Sequence, residues 1–213
     1  TVIRTVDLRP GVNVVWAREP ESDAGSGLAS AGHGVGKTSF CLLVRYLLGD
    51  DATAINALRE RAAANFPKGG VAAKVHIDGA AWLVYRPYGA SHPIAKLGDQ
   101  LQDLFEGQFD GDFQSYLSSL QAAFIGKLAA QTLPGTNQPL EWRHLLAWCI
   151  REQRTRFDGF FHWREGDGLG FRRSRQDPPL FVNSVLGLLD SDADRLMRAV
   201  ETTQSEVAQL EAQ

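Results

Sequence analysis

Residues 31–38, Ala-Gly-His-Gly-Val-Gly-Lys-Thr, restrict what this chain can fold into more than any other stretch. The run ends in Gly34-Val35-Gly36-Lys37-Thr38 and passes directly into an apolar, helix-forming segment, Ser39 to Leu48. Just upstream, Val12-Asn13-Val14-Val15-Trp16 has the β-branched character of a buried strand. Strand, glycine-rich loop and helix in that order form the context in which such a loop cradles phosphate. Glycines let the backbone curl until successive N–H groups point inward at phosphate oxygens. The following helix contributes its positive end. The expected phosphate-binding residues are Gly32, His33, Gly34, Val35, Gly36, Lys37, Thr38 and Ser39. Lys37 would reach the β- and γ-phosphates, and the Thr38 hydroxyl would hold Mg²⁺. The bland alternative is a glycine turn that starts a helix, with Lys37 in solvent.

The chain has 213 residues, 44% hydrophobic and 22% charged, an ordinary globular composition with room for one domain or two small lobes. A net charge of −3 announces no general affinity for nucleic acid, so any such contact would be a local patch. No apolar run approaches the length needed to cross a bilayer, and Thr1-Val2-Ile3-Arg4 reads as a strand rather than a leader. Cys41 and Cys149 fall on expected helices without metal-ligand spacing and read as small buried hydrophobes. The expected setting is a reducing cytoplasm, with no membrane partner.

Two strands are expected at the start, Val2 to Leu8 and Val12 to Ala17, joined by a turn at Arg9-Pro10-Gly11. The polar, glycine- and serine-rich stretch 18–30 is either a surface insertion or a flap beside a nucleotide base, with Trp16 or Arg18 stacking on it. The helix after Lys37 presents Phe40, Leu43, Val44, Leu47 and Leu48 on one broad face and stops at Gly49. A second helix spans 51–66. Asp78-Gly79 between the alternating runs Val71–Ile77 and Trp82–Arg86 is a strong hairpin signal. From Lys96 the pattern turns helical: Leu97, Leu101, Leu104 and Phe105 mark one helix. Phe113, Tyr116, Leu117, Leu120, Phe124 and Leu128 mark the next. Leu133-Pro134-Gly135 interrupts, and Asn137 would cap a third helix carrying Leu140, Leu145, Leu146, Cys149 and Ile150. Two arginine clusters follow, at 151–156 and 172–175, which read equally as solvated faces or as phosphate contacts. A short apolar helix is expected from Leu180 to Leu189. Ser191, with Asp194 three residues on, opens the last helix. There Leu196, Val200, Thr203, Val207 and Leu210 recur at four, three, four, three, the rhythm of a coiled coil or of a plain amphipathic helix.

This order of elements resembles the N-terminal half of an ABC-type ATPase head of the SMC and RecN/RecF kind. It is most similar to bacterial ATPases built like the double-strand-break-repair SMC relative, some of which serve in anti-phage defence. The resemblance implies an α/β P-loop NTPase fold with a helical lobe and the start of a coiled coil. Its parts would be a P-loop lobe with the hairpin at 1–95, a helical lobe at 96–152, a Q-loop region returning to the core at 153–190, and the coiled-coil root at 191–213. It implies ATP and Mg²⁺ as cofactors. Gln153 best fits the glutamine that holds the metal and the attacking water, beside Lys37 as the other catalytic residue. The implied partners are a second copy of the head, a C-terminal half carrying the Walker B and signature motifs, DNA, and further subunits.

The chain departs from that pattern at Ala31, where glycine is usual, and at His33, often asparagine, which would make nucleotide affinity pH-sensitive. It contains no apolar run ending Asp-Glu to supply a catalytic carboxylate, and no Ser-Gly-Gly signature. Two other classes stay open. A GTPase would need an Asn-Lys-x-Asp motif, which is absent, and a nucleotide kinase would need an arginine-bearing lid, for which only Arg151–Arg156 offers itself. The missing carboxylate leaves room for a nucleotide-gated interaction module without hydrolysis of its own.

Overall fold

The computed structural model describes residues 4–14, 37–106, 111–150, 156–157, 159–161, 163–164, 170–189 and 191–211. Within them the chain forms helices α1 (Lys37–Leu47) and α2 (Thr53–Asn65), and strands β1 (Gly70–Ile77), β2 (Ala80–Pro87) and β3 (Ile94–Leu97). Helices α3 (Phe113–Leu120) and α4 (Trp142–Cys149) come next, then the short strands β4 (Arg156–Phe157) and β5 (Trp163–Arg164). Helices α5 (Asp177–Val185) and α6 (Ser191–Glu211) complete the order.

The sheet is antiparallel in the order β1-β2-β3. Its hairpin forms where the sequence predicts it. Asp78 and Gly79 both take positive φ, 48° and 83°, as a two-residue turn matched to strand twist requires. Pairing runs from Ile77 opposite Ala80 to Gly70 opposite Pro87, and Pro87 closes β2. Because strand side chains alternate, β2 feeds two cores. Val84 joins Ile77, Ala95, Leu47, Tyr116 and Leu120 on the face covered by α1 and α3. Leu83 packs on the other face with Ile94 and Leu104. A third cluster lies farther along the chain, where Ile125, Leu133, Leu140, Leu145, Phe181 and Val182 meet. Trp142 packs against both this cluster and the one under α1 and α3, and so joins them.

Several expectations are corrected. Residues 4–9 and 12–14 form no strand, and Val12 and Val14 are 94% and 83% exposed. β-Branched residues supply propensity, but a strand also needs a ladder partner and a face to bury, and neither occurs among the described residues. The turn between them does form, with Gly11 at φ +92° and the Asn13 side chain bonded to the Arg9 backbone. Residues 94–97 are a strand paired with β2, so the expected boundary between 95 and 96 cuts through β3. The leucines at 101 and 104 form only a 3-10 turn, Leu101–Leu104. The long helix expected across 113–128 ends as α3 and continues in a π turn, Gln121–Ile125. Asn137 does not cap the third helix. It sits at φ +50°, and α4 starts later behind Glu141, whose carboxylate accepts the His144 backbone N–H. The short apolar helix starts at Asp177 rather than Leu180, with Pro178 and Pro179 in its first turn, where a missing N–H costs nothing. Cys41 is half-buried, whereas Cys149 is exposed rather than buried.

Candidate functional site

The phosphate-loop motif meets the described structure at α1. Lys37, Thr38 and Ser39 form the start of this helix; Thr38 is exposed and Ser39 half-buried. Gly32, His33, Gly34, Val35 and Gly36 lie outside the described residues, as does Gln153. The structure therefore brings together Lys37, Thr38 and Ser39 and leaves the geometry of the other expected site residues undescribed. The first turn of α1 contains no acidic residue. The N–H groups that a helix leaves unsatisfied at this end, and its positive dipole, are thus not met by a carboxylate from that turn. A helix start of this character suits an anion such as phosphate. A hydroxyl exposed on the first turn, as at Thr38, suits a Mg²⁺ ion shared with that phosphate.

The opposite end of α1 is anchored by polar contacts that the sequence does not advertise. Gly49 takes φ +92°. The Gly49 N–H bonds to the Tyr46 carbonyl and the Asp50 N–H to the Arg45 carbonyl, the paired bonds of a Schellman stop. Positions that often hold an apolar contact in that motif here hold an ion pair, Arg45 with Asp50, with Arg45 Nε donating to Asp50 Oδ2 at 2.7 Å. Arg45 is only 1% exposed, so its buried charge needs ion-pair and hydrogen-bond partners such as Asp50. From β2, Arg86 reaches across to donate to the Tyr46 and Asp50 carbonyls and to the Asp51 carboxylate. Its guanidinium lies 3.8 Å from the centre of the Tyr46 ring and 5.0 Å from that of Phe113. A cation at the carbonyl end of a helix also complements the dipole there. From α4, the Trp142 indole N–H donates to the Leu48 carbonyl at 2.9 Å, and Tyr46 Oη donates to the Pro87 carbonyl at 2.6 Å. The helix that carries Lys37 and Thr38 is thereby fixed to the sheet and to α4.

These anchoring residues escaped sequence reasoning. An arginine in an apolar helix reads as a surface residue, and its pairing with Asp50 depends on the reversal at Gly49. A buried Arg45 among Leu42, Tyr46 and Leu47 leaves only a faint signal, namely a cation on the wrong side of the apolar stripe.

A second polar group is buried near α5. His144 has no exposed surface, stacks on Phe171 with ring centres 4.4 Å apart, and accepts the Glu141 backbone N–H at Nδ1. Burial, reinforced by the charge of Arg143 and opposed by Asp177, lowers its pKa from 6.5 to about 4. It therefore stays neutral at physiological pH and holds the start of α4. The arginine cluster 172–175 is partly structural as well. Arg173 pairs with the buried Asp177 and donates to the Pro134 carbonyl, while Arg172 donates to the Thr136 carbonyl. Arg175 is exposed. No helix among the described residues is long and apolar enough to cross a membrane. Comparison of the chain with protein families, with curated proteins and with solved structures finds no match.

Proposed function

We propose that this chain is the ATP-binding half of an SMC-like ABC ATPase head, which binds ATP with Mg²⁺, dimerises around the nucleotide and acts on DNA in repair, maintenance or anti-phage defence. The observation that carries the reading is the motif Gly34-Val35-Gly36-Lys37-Thr38 running into a helix whose first turn lacks acids and whose far end is clamped in the core. The loop N–H groups and Lys37 would bind the β- and γ-phosphates, and Thr38 and Gln153 would hold the metal. When bound, Mg²⁺ neutralises charge that develops on the phosphates. Gln153 would also orient the attacking water. The carboxylate that completes this chemistry, and the signature that clasps the γ-phosphate of the facing copy, would come from a C-terminal half.

Helix α6 supports the coiled-coil part of the reading. Leu196, Val200, Val207 and Leu210 are 62%, 54%, 47% and 70% exposed. On its other side Arg198 donates to Asn137 and Thr132, and Gln204, Ser205 and Ala208 face Gly135, Arg173 and Gln176. A helix that presents its heptad stripe to solvent and a polar fork to its own domain is suited to pairing with another helix.

The test is calorimetric titration of ATP with Mg²⁺ into the wild type and Lys37→Ala. Binding by the wild type and its loss in the variant are expected, and equal affinities would overturn the site. Turnover by these 213 residues alone should be weak, because no base is placed for it. Robust turnover would point to Glu152 as an overlooked base. ATP binding that neither closes dimers nor responds to DNA in the complete protein would favour the nucleotide-gated interaction module.

A further inference from the structure

We propose that the outer edge of β1 pairs with the same edge of a second copy of this chain, joining two three-stranded sheets into one. The inference goes beyond the reading above and does not depend on nucleotide. The hairpin register fixes which backbone groups of β1 point outward. The two-residue turn at Asp78-Gly79 makes Ile77 and Ala80 a hydrogen-bonded pair, and such pairs recur at every second residue. Two bonds beyond the strand ends keep that phase: the Tyr88 N–H donates to the Gly69 carbonyl, and the Gly98 N–H to the Ala81 carbonyl. Val71, Ala73, Val75 and Ile77 therefore direct their backbone groups to β2. The N–H and C=O groups of Gly70, Ala72, Lys74 and His76 face outward, and none of them has a hydrogen-bond partner among the described residues. The β3 edge, by contrast, is met by Asp112, whose N–H donates to the Ala95 carbonyl. Proteins guard an open edge with a bulge, a proline or a lysine leaning outward. β1 has no bulge in its 8 residues and no proline. Its lysine, Lys74, leans across the sheet instead and donates to the carbonyl and the carboxylate of Asp99 beyond β3.

The side chains commit this edge to its own copy. When β1 pairs antiparallel with itself, outward groups must meet outward groups, which leaves few registers. A two-fold axis at Ala73 sets Gly70 opposite the second copy's His76, and Ala72 opposite its Lys74. Every outward N–H and C=O of both strands then finds a partner. On the face covered by α1 and α3, Val71 meets the second copy's Val75, and Ala73 meets its own counterpart. The half-buried apolar row at the rim of the sheet thus continues across the junction. No like charges fall opposite each other. An axis at Lys74 would set the two lysines face to face and leave Gly70 unpaired, and an axis at Ala72 would leave His76 unpaired. A pairing about one two-fold axis uses the same patch on both copies and closes on itself. Residues 4–8 of the same chain fit less well. They carry Arg4 on the same side as Val6 and Leu8, so they would bring a charge onto the apolar row.

A contact this small should give a weak dimer, with a dissociation constant between about 10 μM and about 1 mM. The test is sedimentation equilibrium across that range, without nucleotide, on the wild type, Ala72→Pro and Lys37→Ala. Proline at position 72 removes an outward N–H that β2 does not use, so the variant should fold and lose the dimer. Lys37→Ala should pair as the wild type does, which separates this contact from any dimer driven by ATP. If Ala72→Pro does not fold, two cysteine variants decide. Under mild oxidation Ala73→Cys should form a disulfide dimer, mapped to position 73 by mass spectrometry. A non-hydrogen-bonded pair on the axis holds its Cα atoms about 4.5 Å apart, within disulfide reach. His76→Cys should not crosslink, because this register keeps its two copies roughly 20 Å apart. A monomer at every concentration, a dimer unchanged by Ala72→Pro, or equal crosslinking at 73 and 76 would each overturn the pairing. Slow hydrogen exchange of the Ala72, Lys74 and His76 amides in the dilute monomer would also overturn it, since another segment of the same chain would then cover the edge. Dimers without nucleotide, together with no ATP binding by calorimetry, would uphold the pairing and remove the nucleotide reading instead.

Discussion

Mild acid should destabilise this chain through one side chain, His144. Its imidazole is fully buried against Phe171 and Phe181, and its Nδ1 is committed to the Glu141 backbone N–H. The neutral ring therefore carries its proton on Nε2, which has no hydrogen-bond partner among the described residues. A second proton would place a charge in an apolar cluster beside Arg143 and remove the acceptor that holds the start of α4. Burial first and Arg143 second lower the pKa from 6.5 to about 4, with Asp177 pulling the other way. Below pH 6.5 the unfolded chain takes up this proton while the folded chain refuses it, so the unfolded state binds more protons and stability rises with pH. The contribution is complete above about pH 6.5 and is lost as pH falls toward about 4. With about 1.4 kcal/mol per pH unit, the loss is about 2 kcal/mol by pH 5 and about 3 kcal/mol at the bottom of the window. The assay is urea unfolding at pH values from 7.5 to 5, on the wild type and on His144→Gln. Glutamine at the third helical position can still reach back to the N-cap N–H but does not titrate. The wild type should lose about 2 kcal/mol more than the variant across that range. Parallel stability curves would refute the assignment, as would a wild type that gains relative stability in acid.

Asp50→Ala would take the Asp50 carboxylate away from the buried charge of Arg45, at a cost of about 3 kcal/mol and a drop in melting temperature of roughly 6–12 °C. A change within 1 °C would mean that water or another group takes over the pairing. Gly49→Ala combines φ +92° with a Cβ that would overlap Leu117 Cδ2, so thermal unfolding should fall by several degrees. A neutral result would show that the α1–α3 contact repacks without strain.

The parts of the fold that were legible are those whose cause is local. Asp78-Gly79 fixes its hairpin because the dipeptide itself prefers the turn, and Gly49 stops α1 because a glycine accepts the left-handed conformation there. Strand β3, Ile94-Ala95-Lys96-Leu97, was invisible because four residues hold no pattern, and it exists through its pairing with β2. Leu97 then counterfeited a helical spacing with Leu101 and Leu104, although it ends a strand. The helix start at Glu141 was missed because the residue that reaches back to it is a histidine, outside the usual glutamate or glutamine pattern. In the candidate site, Lys37 and Thr38 could be read from the loop motif, a local signal. Arg86 and Trp142 could not, since they meet the end of α1 from about 40 and 94 residues away in sequence.

The clamp at the end of α1 makes the helix a lever arm. Its 11 residues span about 16 Å, and a pivot held at Tyr46 lies about 13 Å from Lys37. A tilt of about 4° at the pivot displaces the opposite end by about 1 Å, a shift large enough to cost a phosphoryl-transfer site about a hundredfold in rate. If the proposed nucleotide site is present, loosening Arg86 or Trp142 would act as a change of aim at Lys37 and Thr38 rather than as a loss of the groups that hold phosphate.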